Sequence, residues 1–117
     1  MSEQVSGLKE LLDDPQKSLG QLFELHEQWR QGDVEGLNGN MLQETIDKTP
    51  ETYRLINVQR NQAWLPKLQQ RLDEGGHDAD VLVVVGALHL LGPDGLVEQL
   101  RDQGYQVERV CAACAAD

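Results

Sequence analysis

Apolar residues recur at helical spacing through the first two thirds of the chain. The spacing of Val5, Leu8 and Leu11 predicts a short helix that ends near Asp13 and Asp14. Pro15 then opens a second helix, since proline is tolerated in a first helical turn. This helix carries one apolar stripe up to Gly32, made of Leu19, Leu22, Phe23, His26 and Trp29. Histidine on such a stripe is typical of a packed or interface residue.

Two further helices follow after clear breaks. Asp33 is a good capping residue for a helix that is irregular over its glycines and regular up to Lys48. Thr49 and Pro50 then restart the chain as a cap and a first helical residue. From Pro50 to about Gly75 runs the longest helical pattern of the chain.

The remaining pattern predicts strands. Val81 to Val85 is a continuous apolar run, typical of a buried strand in a parallel sheet. A helix follows from Pro93 to Gly104, and Tyr105 to Val110 alternates like a second strand. The predicted fold class is therefore α/β and mainly helical, with N-terminal helices followed by a βαβ unit. Because two parallel strands are too few for a stable sheet, we expect a second chain to complete it.

Burial of the first strand makes a prediction about stability. A carboxylate in a buried strand has no partner, so Val84→Asp is expected to abolish folding.

Charge and composition narrow the function classes. The 117 residues carry a formal net charge of −10, which argues against nucleic acid and anionic membranes as partners. No stretch is apolar enough to span a membrane, and the first residues lack the pattern of a signal peptide, so we expect a cytoplasmic protein. Residues 1–110 read as one domain and 111–117 as a flexible tail. Cys111 and Cys114 in that tail have neither the four ligands of a zinc site nor the helix start of a thioredoxin motif.

Three polar residues stand out as candidate site residues. His89 directly follows the first predicted strand, where open α/β sheets place ligands. Arg60 and Asn61 lie between apolar neighbours of the longest helix, so they need hydrogen-bond partners in a cleft or on another segment. A purely structural arginine is an equally good interpretation of Arg60.

Several ordered motifs resemble one family. They are GALHLLGPDGLVEQLRDQGYQVERV, which begins at Gly86, and upstream Trp29-Arg30-Gln31-Gly32-Asp33, Pro50-Glu51-x-Tyr53 and Arg60-Asn61-x-x-Trp64. Together they resemble the C-terminal half of the TraB/GumN family, relatives of the Tiki metalloproteases, over roughly residues 19–110. The resemblance implies a fold with two Gly-x-x-His elements and acidic residues that hold a divalent metal for peptide-bond cleavage. This chain has one such element, with Gly86 and Gly92 as its turn residues and His89 as the implied metal ligand.

The resemblance therefore implies a truncated half-domain. One histidine does not make a catalytic metal site, which generally needs about three protein ligands. We expect a dimeric binding module that is non-catalytic or has a degenerate site lined by His89, Arg60 and Asn61. The alternative is a metal-dependent, peptidase-like hydrolase completed by a homodimer or by a separately encoded N-terminal half. In that case Arg60 would stabilise developing negative charge beside Asn61.

Overall fold

The computed structural model describes residues 2–75, 80–112 and 114. These residues divide into two units. The first runs to Thr52 and also includes the described residues from Val110 onward, and the second is Tyr53–Arg109.

Helices account for all the regular structure in the described ranges. The first unit contains α1 (Glu3–Asp13), α2 (Pro15–Gln31), α3 (Val34–Leu37), a π-helical turn (Asn38–Gln43), α4 (Glu44–Lys48) and most of α5 (Pro50–Tyr53). The second contains a π-helical turn (Arg54–Val58), α6 (Gln59–Glu74), a 3₁₀ turn (Ala87–Leu90) and α7 (Leu96–Asp102).

The helix boundaries follow local chemistry. The Asp33 side chain accepts a hydrogen bond from the backbone N–H of Gly36, which confirms the predicted cap of α3. Gly32 and Gly104 have positive φ angles of 67° and 92° and end α2 and α7 as predicted. The predicted irregularity before Lys48 corresponds to the π-helical turn.

The expected cap at Thr49 is wrong. Its hydroxyl donates to the carbonyl of Thr45 at 2.9 Å, and no described backbone N–H of the next helix donates to it. The carboxylate of Glu3 accepts from the backbone N–H groups of Glu51 and Thr52 at 2.9 and 2.8 Å instead. A residue distant in the sequence thus supplies the negative charge that the start of a helix favours.

The predicted βαβ unit and parallel sheet are wrong, and with them the sheet that a second chain would complete. Within the described ranges no residue belongs to a strand, although residues 80–86 and 105–110 form no helix either. A β-strand needs backbone hydrogen bonds to a neighbouring strand. Here the backbone carbonyl of Val107 accepts from the Arg101 side chain at 3.1 Å instead. Leu82 and Val84 are 88% and 82% exposed, so this run is not a buried central strand.

The apolar stripe of α2 also faces solvent. Leu22, Phe23 and Trp29 are each more than half exposed, and His26 is exposed with them. The small buried core of the first unit contains Leu37 and Leu42.

Candidate functional site

A tight loop carries His89 in the second unit. The 3₁₀ turn that holds it begins after Gly86, whose carbonyl accepts from the His89 backbone N–H at 3.0 Å. Gly92 has a φ of 69°, a conformation that favours glycine, and its carbonyl accepts from the N–H of Gly95. Gly86 has an ordinary φ of −65°, so its turn does not depend on a missing side chain.

Asn61 fixes this loop from the facing helix α6. Its side chain is fully buried, and its Nδ2 donates to the carbonyls of Asp94 at 2.8 Å and of His89 at 3.3 Å. Its Oδ1 lies 2.8 Å from Nδ1 of His89. The reverse orientation of the amide would place its oxygen against two carbonyl oxygens, which can only accept hydrogen bonds. Oδ1 is therefore the acceptor that faces the histidine.

This orientation determines the tautomer of His89. Nδ1 carries the proton and donates to Asn61, which leaves the Nε2 lone pair open. Within the described part of the chain, Nε2 makes no hydrogen bond. Burial, and then the positive charge of Arg60, lower the pKa of His89 below its ordinary value of 6.5. The imidazole is thus neutral near pH 7 and offers Nε2 as an acceptor.

An aromatic and a cationic side chain stand beside the imidazole. The Trp64 and His89 rings have centroids 4.8 Å apart at an angle of 54°. The Arg60 guanidinium carbon lies 4.8 Å from the Trp64 ring centroid, within the range of a cation–π contact. Arg60 and Trp64 are four residues apart, so one face of α6 presents both.

Asp94 anchors the loop through both its carboxylate and its backbone carbonyl. Its carboxylate accepts from the Tyr53 hydroxyl at 2.9 Å, and its carbonyl accepts from both Asn61 and the Gln99 side chain. Burial and the neighbouring Asp94 carboxylate raise the pKa of Tyr53, so its hydroxyl keeps the proton that it donates. The loop is therefore anchored to the helices on both sides of it.

Close packing explains the glycine after Asp94. A Cβ atom on Gly95 would lie 2.6 Å from the Leu91 carbonyl oxygen and 2.7 Å from the Leu90 carbonyl. Those are backbone atoms, which cannot swing aside.

A cavity of about 570 Å³ opens beside His89. The described residues that line it are apolar or cationic apart from the neutral His89, and none of them is a carboxylate: Arg60, Trp64, Lys67, Leu68, Val83, Val84, Val85, Gly86, His89 and Leu96. Ligand pockets commonly combine such an apolar wall with a few polar groups.

The donor atoms of this site do not fit a metal ion. In the parts of the chain that the structure describes, no group of three or more His, Cys, Asp and Glu side chains could hold one. His89 offers one nitrogen, and its neighbours Arg60 and Asn61 bring a positive charge and an amide.

A sequence model of the TraB/PrgY/gumN family matches residues 1–109. The chain belongs to this family. The match confirms the resemblance carried by the motifs and extends it to the first helix. Comparison with curated proteins and with solved structures gave no match.

Two of the motifs, the one that begins at Arg60 and the one that begins at Gly86, lie together in the second unit of this TraB/PrgY/gumN protein. The three predicted site residues, His89, Arg60 and Asn61, lie together around the cavity and its loop. Gly86 lines the cavity, and Gly92 turns the loop behind it.

Sequence reasoning missed three contributors. Trp64 shares a motif with Arg60 but was not predicted as a site residue, and Lys67 follows Arg60 by seven residues, a helical spacing that could have placed it on the same face. Asp94 is the acidic residue within the Gly-Pro-x-Gly turn. Its contact with Tyr53 joins residues 41 apart, so no local sequence pattern indicates it.

Two other findings concern the chain as a whole. Cys111 and Cys114, for which the sequence predicts neither a zinc site nor a thioredoxin motif, form a disulfide. Within the described residues, no helix combines the length and the apolar character needed to cross a membrane.

Proposed function

We propose that this member of the TraB/PrgY/gumN family is a binding module that takes an extended apolar peptide in the cavity beside His89. The observation that carries the proposal is the site itself, a cavity with an apolar wall and a neutral imidazole fixed by Asn61. The pocket has recognition groups but not the ligand set of a metallohydrolase. Binding without a catalytic metal is what this combination supports best.

The segment of residues 80–85 beside the cavity supports a peptide over a compact small molecule. Residues 80–85 form no main-chain hydrogen bond with other described residues, and their side chains are mostly exposed and apolar. Free main-chain N–H and C=O groups next to apolar side chains are what an extended peptide can pair with. Val83 to Val85 line the cavity, so such a peptide would reach His89.

Fluorescence anisotropy tests this proposal with a labelled peptide. The probe is the hexapeptide Gly-Gly-Val-Thr-Val-Leu with fluorescein at its N-terminus. Trp64→Ala should weaken binding by about 2 kcal/mol, or about 30-fold, because a tryptophan in a pocket is a typical hot spot. Trp29→Ala is the matched control, since Trp29 lies on the exposed face of α2 in the first unit.

Both variants should keep the circular dichroism spectrum of the wild type. If the wild type does not bind the peptide at about 1 mM, or if Trp64→Ala binds as the wild type does, the proposal is wrong.

One observation favours a second candidate, the metal-dependent hydrolase completed by another chain. Metal-binding histidines commonly donate their second ring nitrogen to a fixed acceptor, as His89 does to Asn61. The remaining ligands would have to come from a second copy or from a partner chain. Stoichiometric manganese, cobalt or zinc in protein purified without chelator, lost in His89→Ala, would support this candidate. Metal content that His89→Ala leaves unchanged would exclude it.

We propose further that two copies associate through α2. The exposed stripe of Leu19, Leu22, Phe23 and Trp29 follows helical spacing, and such a face is typical of helix pairing. Light scattering should give twice 13.1 kDa for the wild type and 13.1 kDa for Phe23→Glu. A monomeric wild type would contradict this part of the proposal.

A further inference from the structure

The cationic side chains at the cavity are unusual for this chain. It carries twenty acidic and ten basic residues, yet among the residues that the structure describes, Arg60 and Lys67 line the cavity and no Asp or Glu does. The described lining is therefore locally positive on an acidic protein. A local positive charge of this kind attracts a small anionic group. The acidic remainder of the surface repels large acidic partners.

The two cations line the same cavity from one helix. Arg60, Trp64 and Lys67 stand at intervals of four and three residues on α6, so they share one face. The Trp64 ring lies against the Arg60 guanidinium and restricts its movement. Neither Arg60 nor Lys67 forms an ion pair with a carboxylate in the described part of the chain.

The wall next to these cations is apolar. Leu68 and Leu96 line the same cavity, together with the valines at 83–85. A ligand that fills this site thus needs one anionic group at the end of an apolar body. An internal stretch of an apolar peptide has no such group, whereas the last residue of that peptide has both an apolar side chain and a carboxylate.

We infer that the cavity recognises the free C-terminal carboxylate of its peptide through Arg60 and Lys67. The inference rests on the proposed peptide binding and names the end of the peptide that is bound. A guanidinium can donate two parallel hydrogen bonds to a carboxylate, and the lysine adds a second positive charge. The last apolar side chain of the peptide lies against Trp64 and Leu68.

The experiment compares two forms of the labelled hexapeptide, one ending in a free carboxylate and one in an amide. Anisotropy titrations use the wild type, Arg60→Gln with Lys67→Gln, and the control Arg71→Gln. Arg71 lies on the same helix α6 and outside the cavity. Arg60 and Lys67 are exposed, so their replacement should leave the helix folded.

The free acid should bind at least about tenfold more tightly than the amide, because hydrogen bonds to charged groups contribute more than neutral ones. This ratio should persist in Arg71→Gln and fall to about one in the double variant. The advantage of the free acid should also shrink when the salt concentration rises from about 0.05 M to about 0.5 M.

The outcomes separate this inference from the function on which it rests. Equal binding of acid and amide by the wild type would overturn carboxylate recognition and leave peptide binding in place. A preference that survives in the double variant would overturn the assignment to Arg60 and Lys67. Absence of binding by both peptides would overturn both proposals together.

Discussion

Removal of the Asn61 side chain should destabilise the second unit. The amide is fully buried and makes two contacts of 2.8 Å, to the Asp94 carbonyl and to Nδ1 of His89, and a longer one of 3.3 Å. The Asp94 carbonyl keeps a second donor in Gln99, so it is not left without a partner. The His89 carbonyl loses its amide donor.

The magnitude follows from these contacts. The two short hydrogen bonds contribute about 1 kcal/mol each. The space left by the missing side chain and the loss of the longer third contact add about 1 kcal/mol more. Asn61→Ala should therefore lower the free energy of unfolding by about 3 kcal/mol, a large part of the ~5–15 kcal/mol of a typical domain.

Urea unfolding followed by tryptophan fluorescence measures this loss. The assay uses a Trp29→Phe background, so that Trp64 is the one remaining tryptophan and reports on the second unit. Gln62→Ala is the control, since the neighbouring Gln62 is exposed and its loss should stay within about 0.5 kcal/mol. A loss below about 1 kcal/mol for Asn61→Ala would refute the view that the amide holds the loop.

Four further predictions test separate features. Because folding lowers the pKa of His89, the unfolded chain binds a proton at a higher pH than the folded chain does. The free energy of unfolding should therefore fall as the pH drops below about 6.5, and this decline should be smaller in His89→Gln. Gly95→Ala should lower the free energy of unfolding in urea by about 1–3 kcal/mol. Gly20→Ala in α2, where a Cβ meets nothing within 4 Å, should raise it by about 0.5–1 kcal/mol, and equal effects of the two substitutions would contradict the close packing at Gly95. Val84→Asp should fold with a wild-type circular dichroism spectrum, and an unfolded variant would show that this exposed residue is buried after all. Hydrogen bonds from Thr52 and Glu51 lower the pKa of Glu3, so Glu3→Gln should reduce the melting temperature at pH 7, and the difference from wild type should vanish as pH falls well below 4.5.

The helices could be predicted because their signals are local. Asp33, Gly32 and Gly104 act on backbone groups within a few residues, so the sequence shows both the signal and its target. The cap of α5 failed for the opposite reason. Thr49 had the right residue type, but Glu3 reaches the same N–H groups from 48 residues away.

The strands failed because pairing is not a property of one segment. Val81 to Val85 has the composition of a buried strand, but in the structure it forms neither a strand nor a helix. Burial also requires neighbours on both sides, and the described residues of this chain do not provide them. The error in the predicted effect of Val84→Asp follows from that same assumption.

The residues of the site could be predicted from the sequence better than their contacts could. Periodicity marked Arg60 and Asn61 as polar groups in need of partners, and Asn61 found them in the loop around His89. Nothing local indicated that Asn61 would set the tautomer of a histidine 28 residues away, or that Asp94 would tie the loop to Tyr53.

The central claim is that the second unit binds a peptide in the cavity beside His89, and the two tryptophans test it most directly. A ¹⁵N-labelled sample is titrated with the free-acid hexapeptide, and the two indole N–H signals are assigned with Trp29→Phe and Trp64→Phe. The Trp64 signal should move in a saturable manner while the Trp29 signal stays in place, since only Trp64 lines the cavity. A titration that moves neither signal, or only that of Trp29, would contradict the claim.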